Sequence, residues 1–256
     1  MRQVDEAAGP EQRVHPERLL VITPTYDERE NIEQLVGGVL GAVPDAQVLI
    51  VDDASPDGTG AVADAMASRD GRVHVLHRSG KLGLGTAYAE GFTWALDRGF
   101  TLVAQMDADG SHEPRELRRL LDAVFDGADV VLGSRNVPGG GVVGWGLGRH
   151  MLSKGGSIYA RTVLGVSVRD MTTGFKVYRA DALRAIDPST LRSNGYAFQI
   201  ETTYRAIAGG LRVVEVPIVF VDRRVGRSKM SARIFGEAVV QVFGLRLSRG
   251  ARPRVF

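Results

Sequence analysis

The 256-residue sequence contains no cysteine. This absence excludes disulfide bonds, thiolate metal sites and a thiol nucleophile, and it is compatible with a reducing compartment. The sequence also lacks an excess of charge of one sign, because 32 basic and 30 acidic residues leave a net charge of +2. Such a balance is not typical of a nucleic-acid-binding protein, so no nucleic-acid partner is expected.

Two nucleotide-binding motifs are also missing. The sequence has no Gly-Lys-Ser/Thr phosphate loop, which argues against an ATPase or kinase of that class. Gly83-Leu84-Gly85 begins like a dinucleotide fingerprint, but Tyr88 occupies the required third glycine position, and the motif does not follow the first predicted strand. A nicotinamide site is therefore excluded.

Long apolar runs are absent from both ends of the chain. Residues 1–18 carry scattered charges, so they predict neither a signal peptide nor a transmembrane helix but a flexible leader or linker. Residues 231–247 have a helical apolar stripe, interrupted by Arg233, Glu237 and Gln241. A membrane span needs about 20 mostly apolar residues, so this segment predicts a surface helix followed by a basic tail. Packing of its stripe against the domain or a partner's membrane helix is the alternative.

Between the ends, short apolar runs alternate with helical patterns. The runs at 19–23, 47–51, 73–77, 102–106 and 130–133 predict buried strands. The clearest helix spans 31–43 and stops before Pro44, and another begins near Pro114. Alternation of this kind predicts an α/β fold with a Rossmann-like doubly wound sheet. Ligands of such sheets bind at the carboxyl ends of the strands.

Two carboxylates follow one of these runs directly. Asp107 and Asp109 come after 102–106, and the two-residue period of an extended chain places both side chains on one side. Carboxylates suit Mg²⁺ or Mn²⁺, which take a few protein ligands together with ligand phosphates. Aspartates spaced by one also occur by chance in surface turns. The position after a buried strand favours a divalent-metal site.

Polar residues also follow the first two runs. Asp53 ends the second run, where its carboxylate can accept hydrogen bonds from a ribose or a base. Helix capping is the alternative interpretation; it suits the nearby Asp57 and Thr59 but does not explain Asp53. Residues 24–28 offer an aromatic face and a carboxylate to a base, or form an ordinary strand-to-helix turn.

Basic side chains lie in several predicted loops: Arg135, Arg149, Lys154, Arg223, Arg224, Arg227 and Lys229. Arginine forks match phosphate oxygens, so a cluster beside a metal site would bind a pyrophosphate or a phosphorylated acceptor. A solvated basic rim is the alternative, and it is favoured for Lys154, Arg224 and Arg227. The glycine-rich residues 142–153 predict a mobile acceptor loop, hinged at 138–141.

A series of short motifs spans residues 19–229. They are Pro24-Thr25-Tyr26 with Glu28; Val51-Asp52-Asp53 with Ser55-Pro56-Asp57-Gly58-Thr59; Lys81 with Gly83-Leu84-Gly85 and Ala87; Asp107-Ala108-Asp109; Gly133-Ser134-Arg135; Asp170 with Thr172-Thr173-Gly174-Phe175; Gly195-Tyr196 with Phe198-Gln199 and Glu201; and Arg223 with Gly226, Ser228 and Lys229. In this order they resemble the dolichol- or polyprenol-phosphate mannosyltransferases of the inverting GT-A glycosyltransferase class.

The resemblance implies a GT-A fold with a Rossmann-like, doubly wound mixed sheet, and it implies a role for each matching residue. Those expected to bind the nucleotide sugar are Pro24, Tyr26, Glu28, Val51, Asp53, Asp107, Ala108, Asp109, Arg135, Arg223 and Lys229. Asp107 and Asp109 would bind the metal, and the acceptor phosphate would meet Arg135, Arg149 and Ser153. The residues expected to act in catalysis are Asp109, Arg135, Arg223 and Lys229.

The sequence departs from the family pattern at the metal site and at its end. Many relatives carry glutamine two residues after the second aspartate, where this chain has Ser111, so the serine hydroxyl or an added water is expected to complete the metal shell. Some relatives continue into transmembrane helices, whereas this chain stops after one short helix. We therefore expect a leader at 1–18, a GT-A domain at 19–229 and an amphipathic helix with a basic tail at 230–256.

The expected reaction is transfer of mannose from GDP-mannose to polyprenyl monophosphate, giving polyprenyl-phosphate-mannose and GDP. A polyprenyl-phosphate hexosyltransferase that uses a UDP-sugar, or a non-catalytic sugar-nucleotide-binding subunit, remains an alternative. The lipid acceptor implies a membrane surface as partner. The expected location is therefore the cytoplasmic, inner face of the membrane, where a membrane-anchoring subunit or a fused domain would supply any further anchor.

Overall fold

Continuous apolar segments form the strands. The computed structural model describes residues 17–222 and 241–247. Its strands are β1 (Leu19–Thr25), β2 (Gln47–Asp52), β3 (Val73–His77), β4 (Leu102–Gln105), β5 (Val130–Ser134), β6 (Gly141–Val143), β7 (Lys176–Arg179), β8 (Val213–Pro217) and β9 (Val219–Val221). All five strands predicted from sequence are confirmed, with ends that shift by at most two residues.

Seven strands form the central sheet, in the order β3-β2-β1-β4-β7-β5-β8. Neighbours from β3 to β4 are parallel, but β7 runs antiparallel to both β4 and β5. The register pairs Gln105 at the end of β4 with Lys176 at the start of β7. The residues just before β7 therefore reach the sheet edge at which β1, β2 and β4 end.

Helices follow most of the strands. They are α1 (Ile32–Ala42), α2 (Thr59–Ala67), α3 (Leu84–Asp97), α4 (Leu117–Phe125), α5 (Leu147–Leu164), α6 (Ala180–Ile186) and α7 (Gly195–Ala208). A 3-10 turn at Pro114–Glu116 precedes α4, because proline suits a first helical turn. The two helices predicted near 31–43 and from Pro114 are thus confirmed.

Strand side chains alternate between two apolar cores, as the pleat requires. Leu20 and Ile22 of β1 join a core formed with α3, α5, α6 and α7, whereas Leu19 and Val21 join a core formed with α1, α2 and α4. Helices therefore cover both faces of the sheet, which gives three layers. Helix α3 lies so close to β1 that a Cβ on Gly91 would come within 2.8 Å of Ile22.

The prediction of an acceptor loop at 142–153 is wrong over its second half, because α5 begins at Leu147. Glycines disfavour a helix by about 1 kcal/mol each, but tertiary packing can outweigh this cost. Here Ala160 and Leu164 are buried in the core, and that burial stabilises the helix.

The predicted C-terminal helix is only partly covered by the structure. Residues 241–247 are helical, and the rest of 231–247 lies outside the described residues. Arg246 donates a hydrogen bond to the carbonyl of Leu164, at 3.2 Å, so this segment lies against the end of α5. Among residues 17–222 and 241–247, no helix is both long and apolar enough to cross a bilayer.

Candidate active site

A cavity opens at the carboxyl ends of β1, β2 and β4. Its lining comprises Pro24, Thr25, Tyr26, Glu28, Asp53, Lys81, Gly83, Leu84, Asp107, Ala108, Asp109, Thr172, Gly174, Gly195, Tyr196 and Gln199. These residues come from the ends of four parallel strands, β1 to β4, and the loops that follow them, from the segment before β7 and from the first turns of α7. The position agrees with the general rule for ligands of open α/β sheets.

Asp107 is held by its neighbours at the end of β4. The hydroxyl of Tyr88, which is fully buried in α3, donates a hydrogen bond to Asp107 Oδ1 at 2.8 Å. The backbone N–H of Asp107 donates to Nδ1 of His112 at 3.4 Å. A Cβ on Gly174 would lie 2.9 Å from Asp107 Oδ2, so only glycine allows this close approach. The carboxylate is therefore oriented before any ligand binds.

Asp109 and Ser111 form a tight turn beside it. Asp109 Oδ1 accepts a hydrogen bond from the backbone N–H of Ser111 at 3.1 Å. Ser111 is buried, and its Oγ has no hydrogen-bond partner among the described residues. An orphaned buried hydroxyl next to two aspartates is a suitable third oxygen ligand for a hard cation.

The oxygen atoms of Asp107, Asp109 and Ser111 favour a metal site that protein and ligand complete together. Within the described part of the chain, no group of three or more histidine, aspartate or glutamate side chains could hold a metal. Mg²⁺ and Mn²⁺ do not need three protein side chains, since water and the phosphate oxygens of a ligand can complete their coordination. The residues present therefore fit a divalent metal that binds together with a diphosphate.

His112 lies behind this turn as a neutral ring. It stacks on Phe175 with ring centroids 5.1 Å apart and meets the edge of Phe220 at 5.4 Å. Burial lowers the pKa of His112 to about 4, against the opposing attraction of Asp109. The ring supports the turn as an uncharged group at neutral pH.

The opposite end of the cavity carries an aromatic ring and a lysine. The ammonium of Lys81 lies 3.8 Å from the centroid of the Tyr26 ring. A cation over an aromatic face stabilises both side chains by about 0.5–1 kcal/mol at an exposed site. Tyr26 and Lys81 thus present a flat, cationic surface that suits a nucleobase.

Asp53, at this same end, is bound by protein groups. Its Oδ1 pairs with Arg78 at 2.5 Å, and its Oδ2 accepts the backbone N–H groups of Leu82 and Gly83 at 3.2 and 3.4 Å. Arg78 and Asp53 are both nearly fully buried. Asp53 therefore shapes the loop that carries Lys81, and its direct bond to a nucleoside stays a prediction.

Arg135 lies just behind the cavity wall. Its guanidinium forms two hydrogen bonds of 2.7 Å with Asp170 and a third of 3.0 Å with Thr172, which lines the cavity. The rings of Trp145 and Phe220 lie 5.5 and 5.4 Å from the guanidinium carbon. Burial opposes ionisation of Asp170, but Arg135 outweighs it and holds the pKa of that carboxyl below its usual value.

The two acidic residues that could act as a base are thus both engaged. Asp170 binds Arg135, and Glu201 accepts the backbone N–H of Ser193 at 3.0 Å and Arg205 at 2.5 Å. Both are buried. This geometry indicates that Asp170 and Glu201 are orienting or structural groups.

The structure brings together seven of the predicted site residues: Pro24, Tyr26, Glu28, Asp53, Asp107, Ala108 and Asp109. Four others do not line the cavity: Val51, Ser111, Arg135 and Ser153. Val51 points into the core, so only its main chain could meet a nucleoside. Ser153 is half-buried in α5. Arg223, Lys229 and the side chain of Arg149 lie outside the described residues.

Several residues that line or support the cavity were not found from the sequence. Lys81, Thr172, Gly174 and Gln199 belong to motifs that carry the resemblance, but they were given no role. Tyr88 drew attention only as a departure from a glycine pattern. Arg78 follows β3, so the rule that residues after strands face the ligand would have found it.

Comparison with known proteins places this site in a family. The model of glycosyl transferase family 2 matches residues 20–187, which run from β1 to the end of α6. The chain belongs to glycosyl transferase family 2. The family segment contains both aspartates, Arg135 and Asp170, whereas α7 lies beyond it.

Two relatives are similar to this chain over most of their length. Undecaprenyl-phosphate mannosyltransferase of Micrococcus luteus is 54% identical over 225 residues, covering 88% of this chain and 92% of that protein. Polyprenol monophosphomannose synthase of Mycolicibacterium smegmatis is 54% identical over 227 residues, covering 88% of this chain and 86% of that protein.

Solved structures share the fold of this family 2 chain. Glucosyl-3-phosphoglycerate synthase from Mycobacterium tuberculosis, in complex with Mn²⁺, UDP-glucose and phosphoglyceric acid, has a TM-score of 0.66 at 18% identity, covering 93% of this chain and 82% of that one. A mannosyltransferase from Pyrobaculum calidifontis, in complex with GDP-Man and Mn²⁺, has a TM-score of 0.56 at 16% identity, covering 97% of this chain and 74% of that one. The predicted GT-A fold with a mixed, doubly wound sheet is confirmed.

Proposed function

We propose that this family 2 glycosyltransferase transfers mannose from GDP-mannose to a polyprenyl monophosphate, with inversion, and releases GDP. The observation that carries the proposal is the cavity, which joins the Tyr26 and Lys81 surface at one end to the Asp107 and Asp109 pair. Two relatives at 54% identity, named for mannose transfer to undecaprenyl phosphate and for polyprenol monophosphomannose synthesis, support the substrate pair.

A divalent metal, Mg²⁺ or Mn²⁺, would be held by Asp107 and Asp109, with the buried hydroxyl of Ser111 as a further ligand. When bound, the metal neutralises charge that develops on the leaving diphosphate. Tyr88 and the backbone at Gly174 keep Asp107 oriented toward this task. Tyr26 and Lys81 would hold the base, and Asp53 would maintain the loop beneath it.

The acceptor provides its own nucleophile. An oxygen of the polyprenyl phosphate attacks the anomeric carbon, and the bond from that carbon to the diphosphate breaks with its electron pair leaving on GDP. A phosphate monoester has a second pKa of about 6, so it is largely ionised at neutral pH and needs no strong general base. The protein's task is to align the two phosphates and exclude competing water.

Cationic side chains would align the acceptor. Arg135 reaches the cavity wall through Thr172, whose hydroxyl also lies 3.4 Å from Ser157 of α5. The acceptor phosphate is therefore proposed to enter between Arg135 and α5, the helix whose sequence includes Arg149 and Ser153. Arg223 and Lys229 keep their proposed roles as partners of the donor phosphates.

A membrane surface is the proposed source of the acceptor. Met151, Leu152 and Ile158 of α5 are exposed, as are Phe243 and Leu247 of the adjoining helical segment. Apolar side chains on neighbouring helices can enter a lipid interface, and the arginines that follow would be attracted to anionic headgroups. Peripheral binding at the cytoplasmic face is the proposed location.

The test is transfer of radiolabelled mannose from GDP-mannose to polyprenyl phosphate in detergent, with Mg²⁺ or Mn²⁺ and with chelator. UDP-glucose is run in parallel, and Asp109→Asn serves as the variant that lacks a metal carboxylate. We expect metal-dependent mannolipid from the wild-type protein and a loss of at least about a hundredfold in the variant. Label from UDP-glucose alone would refute mannose as the sugar, and no transfer from either donor would favour a non-catalytic subunit.

A further inference from the structure

Gln199 is a buried glutamine in the cavity lining that sequence reasoning left without a role. The residue is 3% exposed, and its Oε1 has no hydrogen-bond partner among the described residues. A buried amide oxygen without a donor destabilises a folded protein, and native structures satisfy nearly all such groups. A group of this kind at a cavity wall indicates that a ligand supplies the missing partner.

The backbone of Gln199 is fixed from below by a second buried group. The ammonium of Lys176 donates a hydrogen bond to the Gln199 carbonyl at 2.8 Å and to the hydroxyls of Thr202 and Thr203 at 3.0 Å each. Lys176 is fully buried at the start of β7. The first turns of α7 are thus tied to the sheet, and the backbone that carries the Gln199 side chain is held at the cavity wall.

The order of elements along the sheet edge places Gln199 at one particular end. Asp53 follows β2, Tyr26 follows β1 and the aspartate pair follows β4, while the Gln199 carbonyl is bound by Lys176 at the start of β7. The strands occur in this order across the sheet, so the cavity runs from the nucleobase surface, past the metal carboxylates, to Gln199. A nucleotide sugar in this orientation has its hexose at the Gln199 end.

We propose that the side-chain amide of Gln199 binds a hydroxyl group of the transferred hexose and thereby takes part in choosing the sugar. The inference rests on the proposed function, which sets the direction of the donor. A sugar hydroxyl is both donor and acceptor, so it satisfies either atom of the amide, whereas a phosphate oxygen cannot donate to Oε1. Ribose hydroxyls and base N–H groups can also donate, but in the proposed orientation they lie toward Tyr26, so the hexose is the part of the substrate that matches this group.

The substitution Gln199→Met keeps the length of the side chain and removes its hydrogen-bonding groups. Calorimetry with Mn²⁺ and without acceptor gives the dissociation constants of GDP and of GDP-mannose. We expect unchanged affinity for GDP, about tenfold weaker binding of GDP-mannose, and a similar fall in kcat/KM. A loss of affinity for GDP-mannose without a loss for GDP distinguishes a missing sugar contact from a distorted cavity.

Gln105→Met is the matched control. Gln105 is also a fully buried glutamine with an unpartnered amide atom, but it lies within β4 and does not line the cavity. Its variant should lose stability in urea and keep the wild-type ratio of GDP to GDP-mannose affinity. A Gln199→Met protein with a normal urea midpoint and an altered ratio therefore supports the proposal.

Monodeoxy analogues of the donor identify the partner hydroxyl. Removing the correct hydroxyl should weaken binding to the wild-type protein about tenfold and leave binding to Gln199→Met unchanged. The proposal would be overturned if Gln199→Met lost equal affinity for GDP and for GDP-mannose. It would also be overturned if every monodeoxy analogue bound the variant more weakly than GDP-mannose does. If the wild-type protein used a UDP-hexose instead, only the proposed sugar nucleotide would be refuted. The role of Gln199 would then be decided by comparing the affinities of the wild type and Gln199→Met for UDP and for the UDP-hexose.

Discussion

The hydroxyl of Tyr88 donates a 2.8 Å hydrogen bond to Asp107 across the gap between α3 and the end of β4. Tyr88 is fully buried, and its ring stacks on Phe198 with centroids 5.8 Å apart. Partners of this kind orient metal-binding carboxylates, and their loss commonly weakens metal affinity 10- to 100-fold. Tyr88 is thus a positioning residue for the proposed metal site.

Tyr88→Phe should therefore weaken Mn²⁺ binding by about tenfold while kcat recovers at saturating Mn²⁺. Titration by electron paramagnetic resonance in the presence of GDP measures the affinity directly. Tyr178→Phe is the control, because Tyr178 is also fully buried but donates to Gln105 instead. Identical Mn²⁺ affinities in the wild type and both variants would contradict the role of Tyr88.

The buried pair of Arg78 and Asp53 predicts a coupled loss of stability and nucleotide affinity. Arg78→Met leaves the Asp53 carboxylate buried without its counter-charge, which costs about 3–5 kcal/mol of unfolding free energy. The loop that carries Lys81 should also loosen, so GDP binding should weaken more than urea stability alone explains. Arg184→Met breaks the exposed pair with Asp181 and should change neither quantity appreciably. Unchanged GDP affinity in a destabilised Arg78→Met protein would show that the pair supports only the fold.

Asp170 and Arg135 predict a pH dependence of stability with a definite sign. The folded-state pKa of Asp170 lies below its ordinary value of 3.8, because the attraction of Arg135 exceeds the effect of burial. The stabilisation is therefore fully present above pH 3.8 and is lost as the pH falls through the lower, folded-state pKa.

Asp170→Asn should lower the unfolding free energy by about 3–5 kcal/mol at pH 7, because it leaves the Arg135 guanidinium buried without a counter-charge. Urea unfolding at a series of pH values measures the difference between wild type and variant. That difference should shrink below pH 3.8. A constant difference across this range would rule out the ionised carboxylate as its source.

The exposed apolar side chains of α5 and of residues 241–247 predict binding to lipid. Met151→Glu together with Phe243→Glu should reduce co-sedimentation with anionic vesicles about tenfold or more, because two apolar contacts are lost and two negative charges are gained. Phe125→Glu is the control, since Phe125 is equally exposed but lies on α4, against the opposite core. Equal binding of all three proteins would place the membrane contact elsewhere.

Much of the fold followed from sequence because its signals are local. The strand at 47–51 is a continuous apolar run, and Asp107 with Asp109 directly follows another, so burial and position could be inferred together. The start of α5 was not predicted, because its glycines disfavour a helix and only tertiary packing stabilises it. A mixed sheet was expected from the family resemblance, but which strand runs antiparallel was not predicted, since no periodicity encodes the direction in which a strand joins the sheet.

The site was predicted as far as it depends on strand ends. The ring of Tyr88 meets Asp107 only through the packing of α3 on the sheet, and Gln199 reaches the cavity from a helix far along the chain. Arg135 was expected beside the phosphates, but its ion pair with Asp170 was seen only in the tertiary structure. Contacts of this kind join distant residues, and spacing along one sequence does not reveal them.

The reversal of β7 brings its beginning, rather than its end, to the ligand edge of the sheet. The cavity is thereby assembled from two modules of the chain: the loops of the first parallel strands, and the stretch from Thr172 into α7. The segment that the family model matches ends before α7. Asp107 and Asp109 lie inside that segment, whereas Gly195, Tyr196 and Gln199 lie outside it, so the carboxylates and the α7 wall that faces them come from separate stretches of the chain.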